Sequence, residues 1–353
     1  MDKEAEKRTE IGRLGEFGLI KVLTAPFKAQ QATTVKAIGD DAAVLAPEEG
    51  KQVLLSTDML VEGIHFDLMY TPLKHLGYKA VVVNLSDIYA MNAVPQQVTV
   101  SLAISNRFSL EALEELYEGI RYACERYGVD LVGGDTTSSQ KGLIMSITAI
   151  GYAQGQTVAY RNTAKPGDLI CVSGDLGAAY LGLQLLEREK QLFLESSADF
   201  KPDLEDQKYC VGRQLKPEAR RDIIAYLAEK GVKPTSMIDV SDGLSSDLLH
   251  LCTQSGTGAI IYEDSVPIHE EAYSLALKFN LDPITCALSG GEDYELLFTI
   301  APDDRQKMMD AEDITIIGIM LEENQGINLL SKGGNLHPIT AQGWDAIQRL
   351  GKP

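Results

Sequence analysis

Basic residues are scarce in this 353-residue chain: 32 Lys and Arg stand against 51 Asp and Glu, a formal net charge of −19 with histidine neutral. Nucleic acid is therefore not an expected partner, because backbone-phosphate binding needs a basic surface. An acidic protein can still hold phosphates where divalent cations mediate the contact. No apolar run approaches the ~18 residues that a membrane helix needs, so no membrane partner is expected. Cysteine is sparse as well. Cys124, Cys171, Cys210, Cys252 and Cys286 are odd in number, widely spread and never in a CxxC pair, which reads as reduced core thiols rather than a disulfide framework. The opening MDKEAEKRTE is highly charged with no apolar segment behind it, so no secretory signal is expected and the cytoplasm is the default location.

Several familiar chemistries are missing too. No GxxxxGK is followed by Ser or Thr, and the GTG at 256–258 lacks the third glycine of a dinucleotide fingerprint. No His or Cys cluster has zinc spacing, and no GxSxG elbow marks an acyl-transfer nucleophile.

What is present suits a globular protein. Hydrophobic residues make up 44% and charged residues 24%, enough apolar side chain for sizeable cores, and the length predicts two domains or one large one. Short β-type runs at 53–56, 80–85, 98–104, 143–150 and 169–172 read as buried strands. They alternate with helical periodicity at 109–127, 178–192, 217–230, 244–253 and 270–279, so a mixed α/β fold is expected. Ser109 is placed to cap the first of these helices and Gly128 to end it. Pro217 and Pro267 sit where helix starts tolerate proline. The polar stretch 195–206 reads as an exposed loop, and the domain division is expected near 152–165, giving domains 1–155 and 156–353.

The acids are the informative feature, because they follow apolar runs. Asp58 comes after VLLST, Asp87 after AVVVNLS, Asp135 after VDLVGG, and Asp239 with Asp242 lies in MIDVSDG; Asp40 and Asp41 in IGDDAAV continue the pattern. Any one of them could be a plain cap or turn former. Together they predict clustered carboxylates, which are costly to bury unless cations neutralise them, and hard oxygen ligands suit Mg²⁺. Asp239, Ser241 and Asp242 could aim two carboxylates and a hydroxyl at one cation, whereas an N-cap for the following helix would explain Asp242 alone. Gly133-Gly134-Asp135 and the SGGED at 289–293 place paired glycines before acids, which could admit a polyanion to backbone N–H groups or could mark ordinary tight turns. The residues alone thus describe a Mg²⁺-dependent, phosphate-handling protein without a P-loop.

IGDDAAV, STDMLVEGIHF, KAVVVNLSDIYAMNAVP, VGGDTT, IDVSDGLSSDL and SGGEDYELLF occur in this order from Ile38 to Phe298. In that order they closely resemble the thiamine-monophosphate kinase family of the aminoimidazole ribonucleotide synthetase and selenophosphate synthetase superfamily. GEFGLI at 15–20 and the late Gly343-Trp344 extend the likeness over nearly the whole chain.

The resemblance implies an amino-terminal α/β domain whose sheet forms a homodimer, a carboxy-terminal α/β domain, and ATP-dependent phosphorylation of thiamine monophosphate. It implies several Mg²⁺ ions held by Asp41, Thr57, Asp58, Asp87, Asp135, Asp239 and Asp242, with a main-chain contribution from Ser56. It places Tyr117, Gly134, Asp135, Arg161 and Ser241 at the nucleotide, and His65, Glu292 and Trp344 at the thiamine phosphate. The Trp344 ring suits stacking on a cationic heterocycle, although packing of the tail would also account for it. The competing readings are an aminoimidazole ribonucleotide synthetase-like ligase and a non-catalytic Mg²⁺ or nucleotide-binding module.

Overall fold

The computed structural model describes residues 9–195 and 201–340. The chain divides into two compact units, one running to Ile88 and resuming at Val94–Tyr152, the other formed by Tyr89–Ala93 with the residues from Ala153 onward.

The first unit contains α1 (Gly15–Thr24), β1 (Thr34–Lys36), β2 (Val44–Leu45), β3 (Lys51–Val61) and α2 (Leu73–Tyr89). β4 (Val94–Ile104), α3 (Leu110–Tyr127), β5 (Asp130–Ser138) and β6 (Ile144–Gln154) follow. β1 and β2 pair by themselves, and the main sheet has the order β3-β6-β4-β5, with β4 parallel to β5 and antiparallel to β6. α3 fulfils its sequence signature. The Ser109 hydroxyl accepts from Ala112 N, Leu113, Leu116, Ile120 and Ala123 are buried on one face, and Gly128 ends the helix at φ 67°.

Residues 80–85 are not a strand. They form the middle of α2, with Ala80, Val81, Val82 and Leu85 essentially without solvent exposure. A helix buried on all sides has no polar face, so its sequence loses the 3.6-residue periodicity and reads as a buried strand. Residues 53–56 do form part of β3 but are not buried: at this sheet edge Val53, Leu55 and Met59 face solvent.

The second unit comprises β7 (Leu169–Ser173), α4 (Ala178–Glu195), α5 (Lys208–Leu215), α6 (Arg221–Glu229), β8 (Ser236–Val240) and α7 (Leu244–Ser255). β9 (Thr257–Tyr262), α8 (Glu270–Lys278), α9 (Pro283–Ser289), β10 (Glu295–Ile300), α10 (Arg305–Met309), β11 (Ile314–Glu322), β12 (Ile327–Leu330) and β13 (Leu336–Pro338) complete it. Its sheet runs β13-β12-β9-β11-β7-β10-β8, antiparallel throughout except for the β12–β9 pair. One core joins Ile170, Val172, Ile238 and Leu297 of the sheet to Leu244, Leu248 and Leu251 of α7. A second gathers α4, α5, α8 and α9 around Leu181, Leu185, Cys210 and Leu275. α6 and α8 begin at Arg221 and Glu270, so Pro217 and Pro267 lie in the preceding connections rather than at helix starts. Residues 201–204 of the expected loop are irregular, and part of that stretch lies outside the described residues. Among the described residues no helix is long and apolar enough to cross a membrane.

Candidate active site

In the first unit, β3 and α2 bring together a small acidic group. The Ser56 hydroxyl donates to the Asp87 carboxylate, and Asp58 N donates to Asn84 Oδ1 at 2.9 Å. Asn84 is itself anchored, its Nδ2 donating to Ala80 O at 3.0 Å. Burial, and then the charge of Asp87, push the Asp58 carboxyl up to about 6. Thr57 points elsewhere, its hydroxyl donating to Ile147 O at 3.0 Å and accepting from Thr148 at 3.0 Å.

Asp41 stands exposed in the connection between β1 and β2. Asp135 lies on β5, beside Gly134 and opposite Ser101. β5 and β3 are opposite edges of the four-stranded sheet, so Asp135 is three strand spacings from Asp58, roughly 14 Å across the sheet. The resemblance groups these residues, but the first unit by itself does not bring them together.

After β3 the chain turns back at His65, whose Nδ1 accepts from Val61 N at 3.0 Å. Beside it, the Glu62 carboxylate accepts from Leu143 N at 2.8 Å and pairs with Arg107. Tyr117, on α3, is 7% exposed and meets Phe27 edge-on, and burial raises its phenol to about 12. The groove beside it has an apolar floor of Val22, Leu23, Pro26 and Phe27 and a rim of Glu111, Glu114, Glu115 and Glu118 with Arg121.

In the second unit Asp239 and Asp242 stand near enough to Asp247 for their charges to act on it. Asp239 is the penultimate residue of β8 and Asp242 lies in the turn that leads into α7. Asp247, inside the first turns of α7, accepts from Asp242 N at 3.2 Å. Its carboxyl is pushed up to about 8 by burial and by the charges of Asp239 and Asp242, against the opposing pull of the Asp242 N–H and of Arg161. Arg161 is exposed, and its carbonyl accepts from Ser255 Oγ at 3.0 Å.

The same turn carries the loop before β10. Glu292 N donates to Ser241 O at 2.8 Å and Tyr294 N to Val240 O at 2.9 Å. The contact is close enough that a Cβ on Gly291 would stand 2.5 Å from Ser241 O, which is why glycine occupies that position. Trp344 lies outside the described residues.

Sequence reasoning missed two of these groups. Asp247 stands five residues beyond Asp242 inside IDVSDGLSSDL, and its signal was a third acid entering the same helix. Asn84 stands three residues before Asp87, so the two share one face of α2. Read as a strand, the segment would have sent them to opposite faces.

Among the described residues no three His, Cys, Asp or Glu side chains close on a common point as a ready metal cluster. The donor set nevertheless fits a hard divalent cation. It consists of carboxylates and hydroxyls, and Asp58 and Asp247 are raised first by burial and then by neighbouring negative charge, which such a cation would offset.

Residues 39–153 match the family model described as AIR synthase related protein, N-terminal domain, and residues 165–329 match its C-terminal counterpart. A thiamine-monophosphate kinase of Bacillus subtilis is 33% identical over 291 residues, covering 82% of this chain and 85% of that protein. The crystal structure of thiamine-monophosphate kinase from Stenotrophomonas maltophilia is 33% identical and superposes with a TM-score of 0.75, covering 88% of this chain and 94% of that one. A further structure, AaThiL complexed with AMPPCP and TMP, is 32% identical with a TM-score of 0.72, covering 94% and 97% of the two chains. With both domain models matched and the likeness spread over most of its length, the chain belongs to the thiamine-monophosphate kinase family, in which the two-domain α/β fold of the AIR synthase-related proteins serves ATP-dependent phosphorylation of thiamine monophosphate.

Proposed function

We propose that this chain transfers the γ-phosphoryl group of ATP directly, in line and with Mg²⁺ assistance, to the phosphate of thiamine monophosphate. The observation that carries the mechanism is the carboxylate group at the end of β8, where Asp247 accepts from Asp242 N at 3.2 Å and is raised to about 8 by burial and then by the charges of Asp239 and Asp242. Such a site repels two polyanionic substrates unless cations intervene. The likeness to a structure complexed with AMPPCP and TMP supports the choice of substrates.

The acceptor is a phosphate monoester whose second pKa lies near 6, so its attacking oxygen is already ionised at neutral pH and the chain needs no general base. Asp58, Asp87, Asp239 and Asp242, with Asp41, Ser56, Thr57 and Asp135, are the residues we assign to Mg²⁺. The bound ions would supply charge neutralisation between donor and acceptor. Asn84 and Ser56 hold Asp58 and Asp87 in place. Tyr117, Gly134, Asp135, Arg161 and Ser241 are assigned to the nucleotide, and His65, Glu292 and Trp344 to the acceptor. For Tyr117 and Thr57 those assignments rest on the resemblance alone, since the Tyr117 ring is nearly buried and the Thr57 hydroxyl is bonded to Ile147 O and Thr148.

The exposed apolar stripe of Val53, Leu55 and Met59 on edge strand β3 supports a homodimer formed through this sheet. A coupled ADP assay with Mg²⁺, ATP and a panel of phosphorylated acceptors tests the reading. ADP formation that depends on thiamine monophosphate supports it. Binding without turnover would favour a non-catalytic module, and turnover only with another acceptor would favour a ligase-like relative.

A further inference from the structure

The loop that carries Glu292 is conformationally costly. Glu292 and Tyr294 both adopt positive φ, 67° and 53°, although neither is a glycine. Non-glycine residues persist in that region only where their surroundings over-determine the backbone. On one side the loop is held by the Val240–Ser241 carbonyls. On the other side stands α5, a short helix with no part in the chemistry assigned so far.

Two consecutive residues of α5 reach the loop. The Arg213 guanidinium donates to Asp293 O at 3.0 Å and to Glu295 Oε1 at 2.7 Å. Gln214 Nε2 donates to Glu292 Oε2 at 2.8 Å. Asp293 and Glu295 are both 0% exposed, and Gln214 is 5% exposed. The remaining valences are filled inside the protein. Asp293 accepts from Gly177 N at 2.7 Å and Ala179 N at 3.2 Å at the start of α4, and Glu295 accepts from Arg220 at 2.6 Å and from Ser173 Oγ at 2.5 Å. Two arginines therefore offset the two buried acids that flank Tyr294, while Gln214 contacts the one acid of the segment whose side chain is not fully buried. Residues 292, 293 and 295 divide the labour: the outer one is half-buried and bonded by Gln214, and the inner ones fix the backbone from which it projects.

We propose that Gln214 and Arg213 are positioning residues for the acceptor site, Gln214 by orienting the Glu292 carboxylate and Arg213 by holding the backbone that presents it. This rests on the assignment of Glu292 to the acceptor. Gln214 bonds the side chain assigned to the acceptor, so its effect is expected on that substrate.

The test is steady-state kinetics of Gln214→Met, Glu292→Gln and the double variant, with thermal unfolding as a control for folding. Gln214→Met should raise KM for thiamine monophosphate roughly tenfold, the scale of one charge-assisted hydrogen bond. It should leave kcat and KM for ATP within about twofold. The double variant should be no worse than Glu292→Gln alone, because Gln214 then has no carboxylate to orient. A rise in both KM values, a fall in kcat alone, or additive effects would overturn the proposal. If Glu292→Gln raises the acceptor KM but Gln214→Met does not, the positioning role falls while the assignment of Glu292 stands. If Glu292→Gln leaves it unchanged, that assignment fails and the proposal fails with it. Should Gln214→Met not fold, Gln214→Glu puts the same question. Relative to wild type, its acceptor KM should be raised at about pH 8 and recover toward about pH 6, where a shared carboxyl proton restores the hydrogen bond. A ratio independent of pH would overturn the proposal.

Discussion

At Asp58, burial and the nearby Asp87 act in the same direction and lift the carboxyl to about 6. A proton and a cation then compete for this group, so apparent Mg²⁺ affinity should weaken as pH falls through about 6. Calorimetric titration of Mg²⁺ at several pH values checks this, and an affinity that does not change across that range would contradict the assignment. Asp58→Asn and Asp239→Asn should each lower turnover at least about a hundredfold while leaving the fold intact, since they remove metal-binding charge rather than core packing. Near-normal kcat in either folded variant would remove that acid from the site. Asp58, Asp239 and Asp242 were legible in the sequence because each lies beside an apolar run. Asn84, Arg213 and Gln214 were not, because their roles depend on partners 26, 80 and 78 residues away in sequence, which only the folded chain brings near.

Among the elements, α2 and α3 mark the limits of reading periodicity. α3 has one wet face, so its caps and apolar stripe were plain in the sequence. The middle of α2 has none, and its Val81-Val82-Val83 run imitated a strand. α3 also ties down the start of the described chain. Thr9 N donates to both Glu111 carboxylate oxygens at 3.1 Å, and the hydroxyl and N–H of Thr9 lower this carboxyl to about 2 from an ordinary 4.5. A depressed carboxyl stabilises the fold above its unfolded pKa and loses that contribution as pH falls toward the folded value. The stability difference between wild type and Glu111→Gln should therefore be present at pH 6 and shrink as pH drops from about 4.5 toward about 2. Urea unfolding of both proteins along that range reads it, and a difference that grows on acidification would contradict the role. Glu111 is fully exposed, so the effect should also weaken with added salt.

For the whole molecule, the four-stranded sheet leaves Leu55 66% exposed, with Val53 and Met59 beside it on the edge strand. A monomer would gain nothing by presenting that stripe to water. If the proposed homodimer forms through this sheet, Leu55→Glu should shift a dimeric mass to a monomeric one in light-scattering measurements, whereas an unchanged mass would place any dimer contact elsewhere. Asp58 and Asp135 lie at opposite edges of this sheet, a separation that the order of the sequence motifs did not make legible.

The proposed mechanism takes an already ionised phosphate, recognised on an acidic surface suited to Mg²⁺, as the acceptor. Its most direct test is ADP formation by the purified protein with ATP and Mg²⁺, comparing thiamine monophosphate with unphosphorylated thiamine. Turnover with the monophosphate and none with thiamine is expected, because the free alcohol lacks the metal-binding phosphate and would need a base to remove its proton. Equal turnover on both acceptors would contradict the mechanism.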